Sequence, residues 1–135
     1  WTPAADERVL TEPARAALAQ AGLADRADTP VAVLAHGERR QLEIAMVLAT
    51  GAKCLLLDEP MAGMSPTESE AVVALLRKLK GTHTILLVEH DMDAVFALAD
   101  TVSVLVYGRP IASGTPEEIR HHPEVREAYL GEEAH

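Results

Sequence analysis

Three short runs in this 135-residue sequence place reactive side chains beside turns. The first is Leu55-Leu56-Leu57-Asp58-Glu59-Pro60, an apolar run that delivers two adjacent acids and is stopped by proline. If the run is a strand of an open α/β sheet, its carboxyl end faces the crevice where such sheets bind ligands. Asp58 there suits Mg²⁺, directly or through water, because hard cations take oxygen ligands. Glu59 can orient or deprotonate a water. The alternative is a strand running into a solvated acidic turn. The second run is Leu34-Ala35-His36-Gly37-Glu38-Arg39-Arg40-Gln41. Gly37 stands at the mouth of a helix whose free N–H groups and dipole favour an anion, and a residue without a side chain lets backbone approach phosphate closely. The alternative is an ordinary glycine-containing loop. The third run is Val88-Glu89-His90-Asp91, in which His90 follows an apolar stretch. It can donate to a phosphate or position a water; the alternative is a structural or surface histidine.

The elements that must hold these residues follow from periodicity and punctuation. Thr11, followed by Glu12 and Pro13, reads as the cap of a helix that carries Ala14, Ala17, Leu18 and Ala21 on one side and stops at Gly22. Asp28-Thr29-Pro30 reads as a turn. Gly37 opens a second helix with Leu42, Ala45, Met46 and Ala49 as its apolar stripe, ended by Gly51. Residues 54–57 and 84–88 are continuous apolar runs, the pattern of strands buried on both faces in a parallel sheet. Between them Ser65-Pro66-Thr67-Glu68 is a capping box for a helix with Val72, Leu75, Leu76 and Leu79 inside. Asp91 caps a helix with Met92, Val95, Phe96 and Ala99 inward. Residues 101–106 form a third strand, Gly108-Arg109 turns toward a fourth around Ile111 and Ala112, Thr115-Pro116-Glu117-Glu118 caps a short helix, and a last helix runs from Pro123 to Leu130 and ends at Gly131. The strand–helix alternation predicts an α/β domain.

Composition removes several classes. The net charge of −9 argues against a nucleic-acid or anionic-membrane surface, which needs clustered Lys and Arg. Hydrophobic residues at 48% are too many for a disordered chain, and aromatics at 3% mean an aliphatic core. No apolar run approaches the roughly 20 residues of a membrane-spanning helix. The single cysteine, Cys54, suits a reducing compartment such as cytosol and reads as a small core residue. Met46 and Met92 read as core, and His121-His122 before Pro123 as the start of a helix rather than a metal site.

Taken together and in order, the three runs resemble the second part of an ATP-binding-cassette ATPase. The resemblance covers about residues 14–131. It implies that Leu34 to Glu38 occupy the family's signature motif, with Ala35, His36, Gly37 and Glu38 contacting a nucleotide held mainly by a partner subunit. It makes residues 54–59 the Walker B strand, with Asp58 supporting Mg²⁺ and Glu59 the catalytic carboxylate. Residues 60–66, including Ala62, Gly63, Met64 and Ser65, become the D-loop, and His90 the histidine that senses the γ-phosphate. The runs 58–66 and 88–92 and the ending Tyr129-Leu130-Gly131-Glu132 are most similar to ATPase subunits of branched-chain amino acid importers; urea and lipopolysaccharide transport ATPases share much of this pattern. Two departures stand out. Ala35 replaces the signature serine, which removes one hydrogen bond to a charged group worth roughly 1.5–3 kcal/mol, and His36 replaces the first glycine. Ser65 stands where many members place a D-loop aspartate.

The resemblance implies a partial P-loop NTPase fold, α/β, with a mostly parallel sheet flanked by helices: residues 1–50 the remainder of a helical subdomain with the signature motif, and residues 51–135 the later part of the ATPase core. The phosphate-cradling G-x-x-x-x-G-K-[ST] does not occur in the chain, and Lys53, Lys78 and Lys80 stand in no such loop. With the opening Trp1-Thr2-Pro3 lacking an initiator Met, this leads to the expectation of a fragment without its N-terminal phosphate-loop half, inactive alone. The family's strand leading into the phosphate loop would lie between residues 84–88 and 101–106. Its absence predicts exposed edges and self-association, or a shift of the 101–113 hairpin. The implied cofactors are ATP and Mg²⁺. The implied partners are a second cassette, transmembrane permease subunits and, indirectly, a substrate-binding protein, at the cytoplasmic face of the cell membrane. Two alternatives remain: a non-catalytic interaction module, and a cassette ATPase of another transport system or of a soluble process.

Overall fold

The computed structural model describes residues 3–130 and divides into two compact units, Trp1–Val88 and Glu89–His135. Gly131 and Glu132 of the ending noted above lie outside the described residues.

The first unit contains α1 (Arg8–Gln20), α2 (His36–Ala49), β1 (Cys54–Asp58), α3 (Pro66–Leu79) and β2 (Thr84–Val88), with short 3-10 turns before and between the first two helices. β1 and β2 pair in parallel, from Cys54 opposite Thr84 to Asp58 opposite Val88, with α3 as the crossover. The α3 start follows the sequence closely. Ser65 Oγ accepts from Glu68 N–H, Pro66 takes the first helical position, and Val72, Leu75, Leu76 and Leu79 are buried. Such a capping box satisfies donors that the first turn leaves without intrahelical partners.

Several expectations need correction here. α1 begins at Arg8, before Thr11; the Thr11 hydroxyl instead donates to Glu7 O (3.1 Å). Pro13 therefore lies inside the helix, and the Val9 carbonyl it leaves without a donor sits at an exposed residue where water can replace it. Ala17 and Ala21 of its expected face are buried, whereas Ala14 is exposed. In α2 the buried stripe is Ile44, Ala45 and Leu48; Met46 is 64% exposed. Both stripes have helical spacing, so periodicity alone left a rotation of about one residue undetermined. The strands are not buried on both faces. Leu55 is buried, but Leu56 is 73%, Leu86 58% and Val88 54% exposed. Side chains alternate along a strand, and helices cover one face only. Cys54 shares that open side and is exposed.

The second unit contains α4 (Met92–Leu98), β3 (Val102–Val106), β4 (Arg109–Gly114), α5 (Pro116–His121) and α6 (Pro123–Val125), followed by a π turn over Arg126–Leu130 where a continuous helix was expected. Asp91 Oδ1 caps α4 by accepting from Asp93 and Ala94 N–H (3.0 and 3.2 Å). β3 and β4 form the expected antiparallel hairpin. Its two-residue turn, Tyr107-Gly108, has positive φ at both positions (48° and 73°), the backbone that matches strand twist. Thr115 and Glu118 build the second capping box. Val102, Val104, Ile119 and Val125 form the core, with Met92, Val95, Phe96, Ala99, Ile111 and Ala112 packed against it. The π turn is tied to the hairpin by Tyr129, whose hydroxyl donates to Leu105 O (2.5 Å).

The α/β class therefore holds; among the described residues the parallel pairing is that of β1 with β2. Among the described residues, β1–β2 in the first unit and β3–β4 in the second each form a two-stranded sheet. Among the described residues, no helix is long and apolar enough to cross a membrane.

Candidate functional site

Asp58 closes β1 and is exposed at its carboxyl end. Immediately after it the chain turns through Glu59, whose φ is +45°. A non-glycine residue in this left-handed region costs about 1–2 kcal/mol, and such strain gathers at functional sites. Two backbone bonds hold it: Glu59 N–H donates to Val88 O (2.8 Å), extending the β1–β2 ladder by one rung, and Glu59 O accepts from Ala62 N–H (3.1 Å). Pro60 and Met61 are buried and anchor the turn from below. The acid pair is thus set out from the sheet by a strained turn with a buried base, which differs from a loose solvated acidic turn. Among the described residues no three His, Cys, Asp or Glu side chains converge on one point. One exposed carboxylate at a strand end still fits Mg²⁺, which uses one or two carboxylates and takes its other ligands from water and substrate phosphates.

The loop then continues through Gly63, whose φ of +72° only glycine adopts readily. Met64 N–H donates back to Met61 O (3.2 Å), and Ser65 caps α3. His36, in the first turn of α2, reaches this loop: its Nε2 donates to Ala62 O (3.2 Å).

The head of α2 differs from the expected open anion cradle. Ala35 is the N-cap and offers no side-chain bond. Gly37 is buried, and its N–H is already occupied: it donates to Glu68 Oε1 at 2.9 Å. Glu38 supplies half a capping box, accepting from Ala35 N–H (2.9 Å), and its other oxygen accepts from Arg26 Nε (2.8 Å). The Ala35 backbone bond and then the Arg26 bond hold the Glu38 carboxyl below the usual carboxylate range. Glu68 is lowered too, by the Gly37 N–H first, then by the Ser65 backbone and hydroxyl, with His36 adding a smaller attraction. The sequence places Glu68 in the capping box of Ser65 but gives no sign of its bond to Gly37, because the two residues are 31 positions apart and no local pattern records it. Arg26, from the turn after α1, was missed for the same reason.

His90 stands at the start of the second unit, exposed, with its N–H donating to Glu89 Oε2 (3.1 Å). The Glu89 side chain is almost fully covered and its Oε2 lies 3.9 Å from His90 Nδ1. The structure thus brings His36, Gly37, Ala62, Gly63, Ser65 and Glu68 together within the first unit and sets Asp58-Glu59 at the end of β1. The paired histidines are separated in role: His121 Nδ1 donates to Glu117 O (2.9 Å) within α5, while His122 lies between α5 and α6.

The family model described as ABC transporter matches residues 4–62, and that described as branched-chain amino acid ATP-binding cassette transporter matches residues 109–135. The chain is 44% identical over 128 residues to the high-affinity branched-chain amino acid transport ATP-binding protein BraF of Pseudomonas aeruginosa, covering 93% of this chain and 50% of BraF. It is 45% identical over 117 residues to LivG of Salmonella typhimurium, of the same description, covering 85% of this chain and 46% of LivG. A crystal structure of an ATP-binding cassette of an ABC transporter in its ADP conformation superposes with a TM-score of 0.82 at 29% identity, covering 98% of this chain and 53% of that one. The chain spans about half the length of the curated relatives it matches. Over nearly its whole length, the chain is thus similar to about half of an ATP-binding-cassette transporter ATPase.

Proposed function

We propose that this chain is part of the ATP-hydrolysing subunit of an importer for branched-chain amino acids. The observation that carries the catalytic reading is Glu59, an acid held in a strained turn directly after Asp58 at the strand end. The substrate class rests on similarity to BraF and LivG and on the match over residues 109–135.

In this reading Asp58 holds Mg²⁺, directly or through water; the ion, when bound, neutralises charge on the transferred phosphate. Glu59 orients the attacking water and takes its proton. Its rigid turn fixes the direction of the carboxylate, so little reorganisation is left for the reacting complex. His90 donates to the γ-phosphate. Ala35, His36, Gly37 and Glu38 present the head of α2 to a nucleotide bound mainly by a second cassette, and Ala62, Gly63, Met64 and Ser65 form the adjoining D-loop. Residues 1–50 act as the helical part and 51–135 as part of the ATPase core. Closure of two cassettes, with ATP and Mg²⁺ between them, would move permease subunits at the cytoplasmic face of the membrane.

The test uses the complete protein with its permease partners. Glu59→Gln abolishes ATP turnover while ATP binding persists, because charge and basicity are lost but shape is kept. Retained turnover refutes the role of Glu59. The 135 residues contain no phosphate-cradling loop, so the chain by itself is expected not to turn over Mg-ATP; steady hydrolysis by it would refute that expectation. A second reading, an interaction module that self-associates, draws on the exposed Leu56, Leu86 and Val88 of the β1–β2 sheet. Sedimentation of the chain across a concentration series tests it.

A further inference from the structure

Glu68 stands in the first turn of α3, yet it serves two helices. Its Oε2 accepts from the Ser65 N–H and hydroxyl (3.0 and 2.9 Å), which completes the α3 capping box. Its Oε1 is surplus to that box, and it accepts from Gly37 N–H in the first turn of α2 (2.9 Å). The approach is close: a Cβ on Gly37 would lie 3.1 Å from both Glu68 Cβ and Cγ. A second link runs alongside, from His36 Nε2 to Ala62 O (3.2 Å). The two residues that begin α2 are therefore fastened, His36 to the loop before α3 and Gly37 to the first turn of α3.

We infer that Glu68 is a positioning residue that clamps the head of α2 to the 60–65 loop, so that the two segments move as one body. The purpose of the clamp rests on the ATPase reading; its existence does not. In that reading it couples the signature turn to the D-loop of the same subunit, and it keeps Gly37 N–H on a protein carboxylate until the clamp opens. One carboxylate shared by two segments transmits displacement between them, whereas two independent caps would not. Charge-assisted bonds of this kind are stronger than neutral ones, and the glycine is what allows the two backbones to come this near. The titratable group facing the carboxylate is His36, on α2.

The test follows the Gly37 and Ser65 amides of the 135-residue chain by NMR through an acid titration. Both are expected to report one shared midpoint, and both lose it in Glu68→Gln. The Gly37 amide then exchanges with deuterium roughly tenfold faster or more, as local opening no longer breaks a bond to a charged acceptor. Glu68→Asp, one methylene shorter, is expected to keep the Ser65 response and lose that of Gly37. Repeating the titration in His36→Gln removes the contribution of the imidazole. Separate midpoints for the two amides, or unchanged Gly37 exchange in Glu68→Gln, overturn the clamp. No nucleotide enters these measurements, so a failure of the ATPase reading shows separately, as absent ATP turnover in the complete protein.

Discussion

The turn at Glu59 makes a prediction about stability that reverses the usual order of two residues. At most positions, glycine is less favourable than alanine by roughly 0.5–1 kcal/mol, because it loses more freedom on folding. At φ +45°, an L-residue also bears the left-handed backbone cost of about 1–2 kcal/mol, which glycine escapes. Comparing Glu59→Ala with Glu59→Gly cancels the side-chain interactions of Glu59, since both variants lose them equally. The difference isolates the backbone: the glycine variant should be the more stable by about 0.5–1 kcal/mol. The assay is urea unfolding of the chain, followed by far-ultraviolet circular dichroism. With a slope of about 2 kcal/mol per molar urea for a chain of this size, the midpoints should differ by roughly 0.3–0.5 M. Equal slopes are needed for the comparison to hold. If Glu59→Ala is equal to or more stable than Glu59→Gly, the turn carries no strain and the idea that the fold holds this acid at a cost in stability fails. If the predicted order is found, the acid occupies a position where glycine would be better for the fold, as expected of a residue retained for chemistry.

Two further predictions test the packing and the capping acids. Leu76→Ala empties a fully buried site on α3 and should destabilise by about 2–5 kcal/mol, whereas Leu56→Ala, the same chemical change on the open face of β1, should stay within about 0.5 kcal/mol of the parent in the isolated chain; equal losses in urea unfolding would show that the open face is covered. Glu118, like Glu68, is held below the usual carboxylate range, mainly by the Thr115 N–H and then by its hydroxyl. A lowered folded-state pKa means stability is fully present above the unfolded value and is lost as pH falls through the folded one; Thr115→Ala with Glu118→Gln should therefore flatten part of the acid limb of stability against pH, and an unchanged acid limb would refute the coupling.

Much of the local structure was legible because its causes are local. The Ser65–Glu68 and Thr115–Glu118 boxes and the Asp91 cap each involve residues within a few positions, and the structure has all of them; the hairpin turn expected at Gly108-Arg109 lies one residue earlier, at Tyr107-Gly108. Strand 84–88 has the bounds read from its apolar run. The Thr11 cap was wrong for an instructive reason. Thr11 and Pro13 are compatible with a helix start, but an exposed segment can accommodate proline farther inside, so the helix extends back to Arg8. The α2 stripe was rotated because Met46 and Leu48 are both apolar, and the neighbouring elements decide which side turns inward.

By itself, then, the sequence determined the α/β order, the caps, the acid pair at the end of β1 and the family those features resemble, since each depends on residue type and short spacing. Tertiary structure alone decided that Glu59 sits in a left-handed turn pinned to Val88, that β1 and β2 are open on one face, and that Gly37 N–H faces Glu68 rather than an empty cradle. These depend on contacts between distant segments: Val88 arrives only after the α3 crossover, and Glu68 reaches Gly37 only once two helix heads have packed together. The acids that could do chemistry are written locally; the constraints that aim and restrain them come from the packing of the chain on itself.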